Sequence, residues 1–211
     1  SRPERYAVDR QISAGYMHAG YPIMTWEDVS ETFTDIAKLR GRGATWGFFH
    51  ELGHNFQEGP WTFDGTGEVT NNLFSLYASE KLNGITPAEY GVAHPAMAPE
   101  AQKKRLEAYL AKGAKFEDWK SDPFLALTMY AQLREAFGWE PFTKAFAAYR
   151  RDGIRPQGEL AQHDAWMVQM SRATGRNLGP FFQAWGVPTS ESARKSLESL
   201  PGWMPEAMKR N

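Results

Sequence analysis

There is no cysteine in these 211 residues, so no disulfide can staple the fold and no thiolate can act as nucleophile or metal ligand. Net charge is scarce as well: 24 basic against 25 acidic side chains leave a formal −1, which argues against a nucleic-acid footprint or the steering of a polyanion. No apolar run approaches the roughly 20 residues that span a bilayer, and no charged-then-apolar leader is visible. Histidine is sparse. The five in the chain confine imidazole chemistry to His18, His50, His54, His94 and His163.

What is present is concentrated in residues 50 to 57, His-Glu-Leu-Gly-His-Asn-Phe-Gln. Helical positions four apart share a face, so His50 and His54 can offer imidazoles to one metal ion while Glu51 projects beside it. This is the H-E-x-x-H zinc-peptidase signature. A catalytic zinc takes three protein ligands and keeps a fourth position for water, so a third donor must follow. With no cysteine, and with no ligand-like spacing among the remaining histidines, the expected donor is Glu68. It opens a second amphipathic run in which Val69, Leu73, Leu76 and Tyr77 form the buried stripe. Asn72, one turn beyond Glu68, is placed to orient a ligand. Phe48, Phe49, Leu52 and Phe56 surround the motif with apolar bulk, and Gly53 inside the helix points to a close backbone approach.

The octapeptide, Trp61, the run Gly67-Glu68-Val69-Thr70-Asn71-Asn72, the upstream stretch from Gln11 to Ile23 and the downstream stretches Phe137-Gly138-Trp139 and Asn177 to Gly186 together resemble the enhancin-like, mucin-targeting zinc metallopeptidases. The likeness spans most of the chain. It implies an α+β, predominantly α-helical, gluzincin-like catalytic domain holding one Zn2+. It also implies a secreted endopeptidase cutting O-glycosylated, mucin-like proteins next to glycosylated Ser or Thr. The expected location is extracellular or cell-surface, and the expected source bacterial. Two other functions stay open: a zinc peptidase indifferent to glycans, such as an aminopeptidase, and a glycan-binding or adhesion module. An intact Glu51 argues against the last, because a pure binder needs no general base.

At this length the chain reads as one catalytic domain over 1–211, and its start at Ser1 reads as the C-terminal portion of that domain, processed or excised from a larger secreted protein. Eight tryptophans and eight tyrosines mostly signal core packing, but a few at a cleft would suit sugar rings. Substrate contacts are expected from Trp61 and Asp64, between the two ligand helices, and from His18 and Tyr21 in an extended edge over Gly15 to Ile23. Tyr130 is the candidate to help hold an oxyanion, with Tyr90, His94, Tyr149 and His163 as alternatives. Thr25 is expected to cap a helix carrying Val29, Phe33 and Ile36. Ser121-Asp122-Pro123 should start a helix through Phe137, and further helices are expected at 99–112, 141–151, 159–174 and 189–199.

Overall fold

The computed structural model describes residues 3–42 and 45–209; Ser1 lies outside them. The chain gathers into two compact units. The first comprises residues up to Gln57 and Glu68–Gln102, the second Glu58–Gly67 and residues from Lys103 onward. As expected, the architecture is α+β and predominantly helical.

In the first unit, β1 (Tyr6–Asp9), β2 (Met17–His18) and β3 (Ile23–Trp26) form one sheet in the order β1-β3-β2. β1 runs parallel to β3, with Tyr6 opposite Ile23, and β2 runs antiparallel to it, with His18 opposite Met24. Alternation puts Ile23 and Thr25 on the inner face, both fully buried. Thr25 is therefore a strand residue, which corrects its expected role as a helix cap. Its pairing partner Val8 is remote in sequence, and that long-range contact outweighs the local capping pattern.

The helical run expected from Thr25 begins instead as a 3₁₀ turn at Glu27–Val29, continues in α1 (Ser30–Thr34), and restarts as α2 (Ile36–Leu39). Asp35 accepts from the amides of Ala37 and Lys38, and this second cap breaks the run in two. Ile36 is consequently exposed. The motif helix α3 (Trp46–Phe56) and the Glu68 helix α4 (Gly67–Asn83) follow in order. Tyr6 connects sheet to helix: its ring meets Phe33 at 4.4 Å and Phe48 at 6.1 Å, and its hydroxyl donates to the Phe48 carbonyl at 2.7 Å. α5 (Tyr90–Ala93) and the start of α6 (Pro99–Ala111) complete this unit.

The second unit is built on aromatic packing among α7 (Phe116–Ser121), α8 (Pro123–Phe137), α9 (Glu140–Arg151), α10 (Glu159–Thr174), α11 (Gly179–Ala184) and α12 (Glu191–Lys195). Asp122 caps α8 by accepting from Phe124 and Leu125, as its Asp-Pro start predicts. Trp119, Trp185, Phe142, Phe181 and Phe182 are fully buried. The segment Glu58–Gly67 is held within this unit by Trp61, which meets Phe146 at 5.1 Å and Tyr149 at 5.4 Å, and by Phe63, which meets His163 at 4.4 Å.

Candidate metal centre

α3 and α4 touch at Gly53. A Cβ built there would stand 2.4 Å from the Asn71 carbonyl oxygen, closer than any side chain tolerates, so glycine is what lets the two backbones meet. The apolar partner surface is Phe48 and Phe49, buried at the start of α3, together with Val69, Leu73 and Leu76 on α4. The expected stripe departs at its ends: Tyr77 and Phe56 are exposed. Thr70, Asn71, Asn72, Ser75 and Ser79 are buried on α4 as well, an unusually polar lining for a helix–helix contact.

Asn71 and Asn72 of that lining meet the two imidazoles. His50, His54 and Glu68 bring donor atoms within 4.8 Å of one another. His50 Nε2 lies 3.1 Å from Glu68 Oε2, and His54 Nε2 lies 3.6 Å from Glu68 Oε1. Tetrahedral coordination at about 2.0–2.1 Å sets neighbouring donors about 3.4 Å apart, so the observed separations bracket what zinc requires. The imidazoles are about four-fifths covered, whereas the Glu68 side chain is 56% exposed and leaves the centre open on one side.

Backbone hydrogen bonds fix which ring nitrogen is bare. Asn72 Nδ2 donates to the Glu68 carbonyl at 2.5 Å, so its Oδ1 must face His50 Nδ1, 2.8 Å away, and that nitrogen carries the proton. Asn71 Oδ1 accepts from the Asn72 amide at 2.7 Å, so its Nδ2 must be the atom 2.9 Å from His54 Nε2. His54 therefore carries its proton on Nδ1, which donates to Gln57 Oε1 at 2.8 Å. Both rings present a lone pair on Nε2, the form a cation binds.

Glu51 stands one position from His50 and lines a cavity of about 440 Å³ with Tyr16, Met17, Val29, Thr32, Gly47 and Phe48. Most of those walls are apolar. The negative charges of Glu51 and Glu4, after burial, help hold the Tyr6 phenol well above its usual range.

A family model described as Peptidase M60, enhancin and enhancin-like matches residues 1–186. The chain belongs to that family. Membership implies a metal, and the three donors just described are where this M60 chain brings possible ligands together. TRPM8 channel-associated factor 2 of Bos taurus is 45% identical over 210 residues, covering 99% of this chain and 22% of that protein. The chain thus spans under a quarter of the length of that curated relative. Among solved structures, a functionally unknown conserved protein from Bacillus anthracis matches with a TM-score of 0.75 and 28% identity, over 96% of this chain and 40% of that one. The M60 catalytic domain from Clostridium perfringens ZmpC in complex with the sialyl T antigen matches with a TM-score of 0.65 and 19% identity, over 96% and 38% respectively. This last likeness establishes shared M60 fold.

The vertebrate relative corrects one expectation. At 45% identity across nearly the whole chain it points to a eukaryotic source rather than a bacterial one. Among the described residues, no helix is long and apolar enough to cross a membrane.

Trp61 is only 2% exposed and its ring packs on Phe146 and Tyr149, so it presents no face to a sugar. Asp64 is exposed in the same segment, and against the lowering by burial it adds a little to the rise that Glu159 and Glu117 produce in the Lys120 ammonium's pKa. His18 is engaged through Nε2 with Ser13 Oγ and through Nδ1 with the Ala19 carbonyl, both at 2.9 Å. Tyr21 is 39% exposed, with the Arg5 guanidinium 5.8 Å above its ring. Tyr130 and Tyr149 are core residues of the second unit, and burial raises both phenols. His163 is buried there too. Tyr90 donates to Glu80 at 2.5 Å, and His94 Nδ1 accepts from the Ala96 amide at 3.2 Å. Asn71 and Gln57 were not singled out as functional from the chain alone, although Gln57, three residues past His54 at a helix end, is a position from which an amide can return to the ring.

Proposed function

We propose that this chain carries the metal-binding and water-activating half of a zinc peptidase that hydrolyses peptide bonds in O-glycosylated proteins. The observation that carries this reading is the pair of unprotonated Nε2 atoms facing Glu68 at tetrahedral spacing, with Glu51 next to His50 in the same helix. Zinc held there would supply a water with a pKa near 7 and a Lewis acid for the scissile carbonyl. Glu51 takes the proton of the attacking water on its carboxylate and passes it to the nitrogen that leaves. Asn72 and the buried face of α4 keep His50 turned toward the metal position, so little reorganisation accompanies binding. Support for a glycosylated substrate comes from a structurally similar metallopeptidase solved with the Tn antigen and from the M60 catalytic domain of ZmpC solved with the sialyl T antigen.

The test is cleavage, read by mass spectrometry, of a peptide bearing one O-linked GalNAc on threonine beside its bare twin, with chelator and Glu51→Gln controls. Zinc-dependent cutting of the glycosylated peptide alone is the expected result. Equal cutting of both would leave a zinc peptidase without glycan dependence. A second reading is favoured by the 45% identical relative named a channel-associated factor: a binding module that retains the metal site. Stoichiometric zinc and a folded protein without cleavage, in the full-length protein as well as in this chain, would support that reading instead.

A further inference from the structure

We infer that Gln57 is a positioning residue for the metal centre: its side-chain amide fixes the ring of His54 and ties the end of α3 to α4. This rests on the zinc reading above for its consequence, though not for its geometry. Gln57 is the first residue past α3, and its extended backbone (φ −67°, ψ 143°) turns the chain away while its amide N–H still donates to the His54 carbonyl at 3.3 Å. From there the side chain reaches back to the ring it has just left.

The hydrogen bonds around the His54 ring set the orientation of that side chain. A threonine hydroxyl can accept or donate, so Thr70 alone would tolerate either amide orientation. The order is set from the other side of the ring: the Asn72 backbone N–H fixes Asn71 Oδ1, Asn71 Nδ2 then points at His54 Nε2, and the His54 proton is forced to Nδ1. Gln57 must answer with Oε1, at 2.8 Å, leaving its Nε2 to donate to Thr70 Oγ1 at 2.5 Å. The reverse amide would set two N–H groups against each other.

The second consequence concerns Glu68. Between Gln57 and Thr70 the chain leaves the first unit altogether, because Glu58–Gly67 packs within the second. The Gln57–Thr70 hydrogen bond, spanning 13 positions, closes that excursion at its base. Thr70 is buried and lies two residues past Glu68, so the same amide that orients one ligand registers the helix carrying another.

The experiment uses the full chain in two measurements. The first is 15N NMR of the metal-free protein at a pH above 8, which reports which nitrogen of His54 is protonated. The second is the zinc dissociation constant, from competition with a chromophoric chelator, for wild type, Gln57→Ala, Gln57→Glu and Thr70→Val. Expected are an Nδ1–H His54 in wild type, a mixed tautomer in Gln57→Ala with zinc affinity weaker by about 10–100-fold, and recovery of most of that affinity in Gln57→Glu, which keeps the acceptor. Thr70→Val should show a smaller loss. An Nε2–H His54 in wild type would overturn the proposal without any variant. So would unchanged tautomer and affinity in Gln57→Ala, or a loss that Gln57→Glu does not recover. Failure of the wild type to bind zinc, with the tautomer pattern as expected, would defeat the zinc reading and leave the positioning role standing.

Discussion

Gly53 of the motif helix and Asn71 of the Glu68 helix meet backbone to backbone, at a point where a methyl group would stand 2.4 Å from a carbonyl oxygen. The separation of the two helices that carry the possible ligands is therefore set by one hydrogen atom. Gly53→Ala improves helix propensity by about 1 kcal/mol, yet it must push α4 away. The expected net outcome is a loss of about 1–3 kcal/mol of stability, seen in urea unfolding, together with weaker zinc binding. An alanine variant with wild-type stability and zinc affinity would show that the helices part without cost.

The metal should report on the site separately from catalysis. Adding zinc to the chelated protein is expected to raise the unfolding midpoint, because a ligand present at about 1,000 times its dissociation constant stabilises by about 4 kcal/mol. His50→Ala and His54→Ala should lose that shift. Glu51→Gln should keep it in full while turnover falls by about 10²–10⁴-fold. Stoichiometric zinc retained by both alanine variants would refute the ligand assignment, and normal turnover in Glu51→Gln would remove its role as base.

How much of this was legible in the chain depends on how local the cause is. The helix α10 has its expected bounds, Glu159–Thr174, because Gly158 and Gly175 punctuate it on both sides and Gly175 takes the left-handed conformation at the C-terminal end. The start of α8 was equally plain, since Asp122 and Pro123 act within one turn. Thr25 misled because its capping pattern is local and its strand partner is not. Trp61 misled in another way: a loop between two ligand helices reads as a rim, but its aromatic ring belongs to a core assembled from Phe146 and Tyr149 far downstream. The pairing of His50 with His54 was legible because a helical repeat of four is written directly in the residues. Gln57 was not, because its role exists only once the chain has turned at the helix end and Thr70 has been brought alongside.

The cavity beside Glu51 offers a handle on substrate entry. Gly47 lies one turn before Glu51, and a Cβ added there would come within 3.2 Å of the flexible Met17 Sδ. Gly47→Val should fill part of the cavity without harming the helix, since valine is a better helix former than glycine. The expected result is a fall of about tenfold or more in kcat/KM with zinc affinity preserved. Unchanged kinetics would mean that the substrate does not use this space.

His163 supplies a pH dependence that is independent of the metal. Its Nδ1–H donates to the Pro188 carbonyl at 3.0 Å, its Nε2 is buried without a partner among the described residues, and the rings of Phe63 and Phe116 lie 4.4 and 4.9 Å away. Burial lowers its pKa below the free-histidine value, although the hydrogen bond to Pro188 and the charges of Glu159 and Asp164 pull the other way and Lys120 adds to the lowering. A depressed folded-state pKa fixes the sign. Above pH of about 6.5 the ring is neutral folded or unfolded, and its contribution is intact. As pH falls below that value the unfolded chain takes up the proton first, so stability declines until the folded-state pKa is passed. Thermal unfolding between pH 7.5 and 5 should therefore show a steeper loss for wild type than for His163→Gln, which keeps a donor for Pro188 but cannot titrate. Parallel pH profiles for the two proteins would mean that the buried ring is already free to protonate in the folded state.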